Sequence, residues 1–140
     1  LLEVLEQNDV TATFFMTGYF LRQFEESARK IEAAGHEIAS HSNTHPRLTE
    51  KAGYDMMRQI QRPAEDIKAM FGKETTLMRP PFGDVNKDVI AMARAEGQEV
   101  IMWTIHSVYL FYNLIETQFE TRKGCEKLPI LVIPMKCITH

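Results

Sequence analysis

The 140-residue chain is 44% hydrophobic and 25% charged, with a net charge of −3, the profile of a single globular domain. This mild acidity gives no electrostatic ground for binding nucleic acid or an anionic membrane surface, and no apolar run approaches the ~20 residues of a membrane helix. The expectation is one domain over residues 1–140, acting as a monomer, with no nucleic-acid partner and no membrane span.

The opening "LLEVLEQNDV" has neither a basic start nor a long apolar stretch, so it is not a signal peptide. Leu1, Leu2 and Leu5 among charges read as the end of an amphipathic helix. With no initiating Met, the chain is expected to be a fragment or processed piece. "TATFFMTG" follows as a short strand stopped by Gly18. "FEESARKIEAAG" is predicted helical, with Ala28, Ile31 and Ala34 on the buried face and Gly35 as its stop. "HEIAS" is the second strand.

A long helical pattern runs from Leu48 to Gly72, with Thr49 as its predicted N-cap. Met56, Met57, Ile60, Ala64, Ile67 and Phe71 form its core stripe. Pro63 lies within that pattern, so a kink or restart is predicted there. "TLMRP" is the third strand, "NKDVIAMARAEG" the third helix closed by Gly97, and "EVIMWTI" the fourth strand. Up to Ile105 this alternation implies an α/β fold with a parallel sheet or barrel. Beyond it, "LFYNLIETQFETRKG" reads as a helix and "ILVIP" as a strand.

Polar residues cluster where the strands end: His41 after the second, Arg79 after the third, His106 after the fourth. Parallel α/β barrels build their sites at that face. His41 and His45 are spaced i, i+4, which lets two imidazoles grip one ion, and Ser42, Asn43 and Thr44 between them are small. A solvated loop with two unrelated histidines fits the same five residues. Arg79 opens "RPPFGD" with a fork suited to a carboxylate, Pro80 and Pro81 stiffen the loop, and Gly83 lets backbone approach a ligand. The alternative is a surface turn with a solvated arginine. Phe82 and Trp103 can wall a pocket, although a lone Trp on a strand also suits a core. His36, just before a strand, reads as structural or exposed. Cys125 and Cys137 form no C-x-x-C, and a disulfide and two free thiols both remain open.

"ATFFMTG", "GHEIASHSNTH", "RPPFG" and "VIMWTI", in this order, resemble the polysaccharide deacetylases of the NodB-homology type, carbohydrate esterase family 4. The likeness covers Leu1 to Ile105. It implies a distorted (β/α) barrel, here incomplete at the N-terminus, and a divalent metal, usually zinc, held by an Asp and two His matching His41 and His45. It also implies removal of N-acetyl groups from chitin, chitooligosaccharide or peptidoglycan by a metal-activated water. Backbone near Phe82 would help hold the oxyanion, and Arg79 matches the arginine that orients the catalytic base. Pro80, Pro81, Phe82, Gly83 and Trp103 would line the glycan site. The family is mostly secreted or in the cell envelope.

Three departures stand against this likeness. The family's Thr-Phe-Asp-Asp-Gly motif, source of the base and the third ligand, would lie upstream of Leu1. Its Asp-x-x-Asp-Trp motif is replaced by His106, Ser107, Val108, Tyr109 and Leu110. Its Leu-x-His general acid is matched only by "ITH", ending in His140, which lies late in the chain. A truncated or degenerate non-catalytic relative, keeping the fold and weak metal or glycan binding, is therefore the second expectation. A barrel without its first strand is expected to leave edges unpaired and to fold marginally.

Overall fold

The computed structural model describes residues 1–103 and 131–133. Its elements are α1 (Leu2–Gln7), β1 (Thr13–Met16), α2 (Gly18–Gln23), α3 (Glu25–Ala33), β2 (Glu37–Ser40), α4 (Gly53–Phe71), β3 (Leu77–Met78), α5 (Lys87–Ala95), β4 (Glu99–Val100) and β5 (Leu131–Ile133). Short 3-10 turns stand at Leu48–Glu50 and Pro81–Gly83. The strands lie side by side in the order β4-β3-β2-β1-β5. β1 to β4 run parallel, as the β-α alternation predicts, and β5 is antiparallel to β1.

β1 is buried on both faces, which suits a strand covered on each side. Phe14 and Met16 point into one apolar cluster with Phe20, Leu21, Ala28, Ile31, Ile38 and Ile67. Phe15, one residue out of phase, points to the opposite face and lies under the Arg79 guanidinium, 4.0 Å away. A second cluster, Leu48, Met56, Ile60, Met78, Val89 and Ala93, seats α4 and α5 beside β3.

Several expectations need correction. Ala34 is exposed at the end of α3, because the helix closes on it and Gly35 turns away with φ 83°. Thr49 does not cap α4; it sits in the 3-10 turn and bonds Asp84, while Ala52 holds the cap position. α4 runs unbroken through Pro63. Met56 and Ile60 before the proline and Ile67 after it are all buried, so packing of one continuous stripe outweighs the single lost backbone bond. The fourth strand is only Glu99–Val100, extended by Ile101, whose N–H donates to the Met78 carbonyl at 2.8 Å. β1 is not left with an open edge, because Leu131–Ile133 pairs with Thr13–Phe15 on the side away from β2. The expected helix over 110–124, and His106, Cys125, Cys137 and His140, lie outside the described residues. No helix among the described residues is long and apolar enough to cross a membrane.

Candidate metal and substrate site

The site forms at the C-terminal ends of β2 and β3. His41 continues the β2 ladder, its N–H donating to the Met16 carbonyl at 2.9 Å. Its side chain is buried, with Nδ1 2.7 Å from the Arg79 carbonyl oxygen. A carbonyl only accepts, so Nδ1 carries the proton and Nε2 keeps its lone pair. Burial pushes the His41 pKa from 6.5 down to about 4, against the opposing pull of the Arg79 carbonyl; the His45 and Arg79 charges add to the lowering. Burial also lowers the pKa of half-buried His45. Both rings are therefore neutral at pH 7, the form that ligates a metal.

The two rings meet edge to face with centroids 4.9 Å apart. The loop that brings them together contains two non-glycine residues in the left-handed region, Ser42 (φ 65°) and His45 (φ 62°), a backbone state that surrounding contacts must hold. Those contacts are present. The Gly18 and Tyr19 N–H groups donate to the Ser42 and Asn43 carbonyls at 3.0 and 2.9 Å. Arg22 Nη2 donates to Asn43 Oδ1 at 2.8 Å. The Thr44 N–H donates to Gln59 Oε1 and the His45 N–H to Ser42 Oγ, both at 3.0 Å.

Arg79 is fully buried. Its Nε and Nη2 donate to the Ile101 and Met102 carbonyls at 3.3 and 3.5 Å, and Nη1 has no partner among the described residues. Burial lowers its pKa, but a guanidinium stays charged at physiological pH. The carboxylate that its fork suits is not among its described partners. Arg79 thus serves His41 through its own carbonyl while its side chain braces the strand ends.

The next loop lies against His45. Phe82 is left-handed (φ 60°) and exposed. Its ring stands edge-on to His45 at 4.7 Å, and Arg47 lies over it at 5.1 Å. Asp84 anchors this loop by accepting from the Thr49 N–H at 2.9 Å and from its hydroxyl; these bonds, the backbone one first, hold the Asp84 carboxyl below its ordinary pKa. Gly83 (φ 67°) backs directly onto Trp103, such that a Cβ there would stand 2.9 Å from Trp103 Cη2.

His41, His45, Arg79, Pro80, Pro81, Phe82, Gly83 and Trp103 thus fall in one region. His36 is apart from it, buried beside Phe14 with Nδ1 accepting from the Ala12 N–H at 3.4 Å. The sequence reading missed Arg22, Asn43, Gln59 and Asp66 as loop supports. Arg22 and Asp66 are 44 residues apart, and no local pattern announces such a pair.

Two neutral imidazoles facing one another, one with its tautomer fixed, fit part of the donor set of a divalent cation. No group of three or more His, Cys, Asp or Glu side chains able to hold an ion occurs among the described residues.

A parallel α/β sheet with paired histidines and an R-P-P-F-G loop at its C-terminal face defines a class, and the match extends well beyond the site: the chain belongs to the polysaccharide deacetylase family, whose pattern covers residues 1–101. Among relatives, it is 34% identical over 104 residues to the peptidoglycan-N-acetylglucosamine deacetylase PgdA of Listeria monocytogenes, covering 74% of this chain and 22% of that protein. It is 30% identical over 105 residues to the peptidoglycan-N-acetylmuramic acid deacetylase PdaA of Bacillus subtilis, covering 74% and 40%. Among solved structures, a pseudoenzyme of carbohydrate esterase family 4 from Bacillus anthracis superposes with a TM-score of 0.72 at 30% identity, covering 79% of this chain and 40% of that one. The chain thus spans less than half the length of these relatives.

Proposed function

We propose that this chain is the greater part of one NodB-type catalytic domain, from a secreted or cell-envelope hydrolase that removes N-acetyl groups from a glycan of the chitooligosaccharide or peptidoglycan type. The observation that carries the reading is the neutral His41–His45 pair beside the Phe82 loop, with His41 Nδ1 tied to the Arg79 carbonyl. His41 and His45 would hold a divalent ion, zinc by preference for two imidazoles. The chemistry such an ion supplies is Lewis acidity toward the acetyl carbonyl and a lowered pKa for water. Pro80, Pro81, Phe82, Gly83 and Trp103 would form the wall against which the sugar lies, with backbone near Phe82 facing the oxyanion. His140 is the candidate general acid. The enzyme acts as a monomer.

A protein extended upstream of Leu1 should release acetate from acetylated chitooligosaccharide or peptidoglycan fragments, and His41→Ala and His45→Ala should each abolish that release. No acetate with zinc, cobalt, nickel or manganese would sink the proposal. A second reading, a non-catalytic relative, is favoured by His106 to Leu110, which depart from the family's fourth motif, and by the likeness to a pseudoenzyme. That reading predicts glycan binding without turnover in the same assay.

A further inference from the structure

We propose that Arg22 is a positioning residue for the histidine pair, acting through Asn43. The inference rests on reading His41 and His45 as metal ligands. Asn43 is the central residue of the five that run from His41 to His45, and Ser42 just before it and His45 two residues after it hold positive φ. A left-handed non-glycine residue costs roughly 1–2 kcal/mol, so the free loop would relax to other shapes. Neutral hydrogen bonds restrain it, from the Gly18, Tyr19, Thr44 and His45 N–H groups and between the Thr44 hydroxyl and the Gln59 amide. The Arg22 contact to Asn43 Oδ1 is the one described bond to this loop in which the partner is charged, and such bonds are about twice as strong as neutral ones.

Arg22 is itself held. Its Nη1 pairs with the Asp66 carboxylate, and Asp66 is 8% exposed, on α4. Arg62 Nε reaches the other Asp66 oxygen at 3.3 Å. Guanidinium, carboxylate and amide thus link α4, α2 and the loop. Gly18 completes the arrangement: a Cβ there would stand 2.6 Å from Asn43 Oδ1, 2.8 Å from Arg22 Nη1 and 3.0 Å from Asp66 Oδ2. The backbone of α2 therefore lies directly against the three groups. Neither Arg22 nor Asp66 touches the imidazoles in any described contact. Their action is on the shape of the loop, so that the pair is set before an ion arrives and ordering it subtracts little from the binding free energy.

The test uses the 140-residue chain with Arg22→Met and Arg22→Lys, and with Arg29→Met as a control that loses a surface pair with Glu25 and a tie to Met70 and Phe71, all away from the histidine loop. Zinc affinity is read by competition with a chromophoric chelator, and backbone amide exchange is followed across the chain. Arg22→Met should weaken zinc by about tenfold, the lower end of the usual effect of outer-shell partners. It should also speed exchange at residues 42–45 more than elsewhere. Arg22→Lys, which reaches Asn43 or Asp66 but lacks the fork to hold both, should fall between, and Arg29→Met should match the parent. A lowered thermal midpoint in Arg22→Met with zinc affinity and loop exchange unchanged would overturn the proposal and leave Arg22 merely structural. If the parent binds zinc no better than a His41→Ala, His45→Ala double variant, the ligand reading fails. Unchanged exchange at 42–45 would then sink the positioning role separately.

Discussion

His41 ties protonation to stability. In the unfolded chain its imidazole titrates near 6.5, and in the fold near 4. As pH falls through 6.5 the unfolded chain takes up a proton that the folded chain refuses until about 4. The fold keeps its full stability above 6.5 and loses it progressively between 6.5 and 4, by about 3 kcal/mol in all. His41→Asn retains a side-chain N–H for the Arg79 carbonyl but does not titrate. Urea unfolding at pH 7 and pH 4 should show the parent losing about 3 kcal/mol more than this variant; equal losses would contradict the burial argument. The same depression keeps proton competition at His41 weak until pH approaches 4. Arg79 carries a different expectation. Among the described residues this buried guanidinium faces no carboxylate and its Nη1 has no partner, so only two carbonyls and the Phe15 ring meet its charge. Arg79→Met fills the same space without it, so its urea midpoint should equal or exceed the parent's, whereas Arg79→Ala should lose about 2–4 kcal/mol to the cavity. A large loss in Arg79→Met would mean that a counter-charge faces the guanidinium.

At the scale of elements, the 3-10 turn at Pro81–Gly83 meets the end of β4 through Gly83 and Trp103. Gly83→Ala adds a methyl against a rigid ring and demands φ 67° of an L-residue. The expected cost is about 1–3 kcal/mol. Trp103 is the one tryptophan of the sequence, so a shift in tryptophan emission reports directly on its displacement; unchanged emission and unchanged stability would mean that the contact is loose. The elements also show why some of the site was legible beforehand. His41, His45 and Arg79 each follow a strand, and strands are read from short β-rich runs between helical periods. The pairing of Arg22 with Asp66 and Asn43 was hidden, because it depends on how α2 lies against α4. Pro63 misled for a related reason: the proline rule is local, and the stripe Met56, Ile60, Ile67 that overrides it is satisfied only in the packed domain.

At the scale of the whole molecule, the α/β class and the parallel order were readable from the alternation of periods, while the direction of the last strand was not. A three-residue apolar run carries no mark of parallel or antiparallel pairing, and β5 takes the antiparallel sense against β1. Consecutive residues of a strand point their N–H groups to opposite edges, so one of Leu131→Pro and Val132→Pro removes a donor facing β1. That variant should lose about 1–2 kcal/mol and expose the Thr13–Phe15 amides to exchange, while the other is better tolerated. Equal, negligible effects would mean that β5 adds nothing to the sheet.

The β5 pairing also orders events during synthesis. β1 finds β2 across a gap of only 24 residues, so that ladder, and those to β3 and β4, can close while the chain is still emerging from the ribosome. When the 140-residue chain is made by itself, the partner that the other edge of β1 finds is residues 131–133, nearly the whole chain later. Until then Thr13, Phe14 and Phe15 present an apolar, unpaired strand to the solvent. Nascent forms of the 140-residue chain stalled before Leu131 should therefore be the ones that chaperones retain, and release should follow once that segment has cleared the exit tunnel.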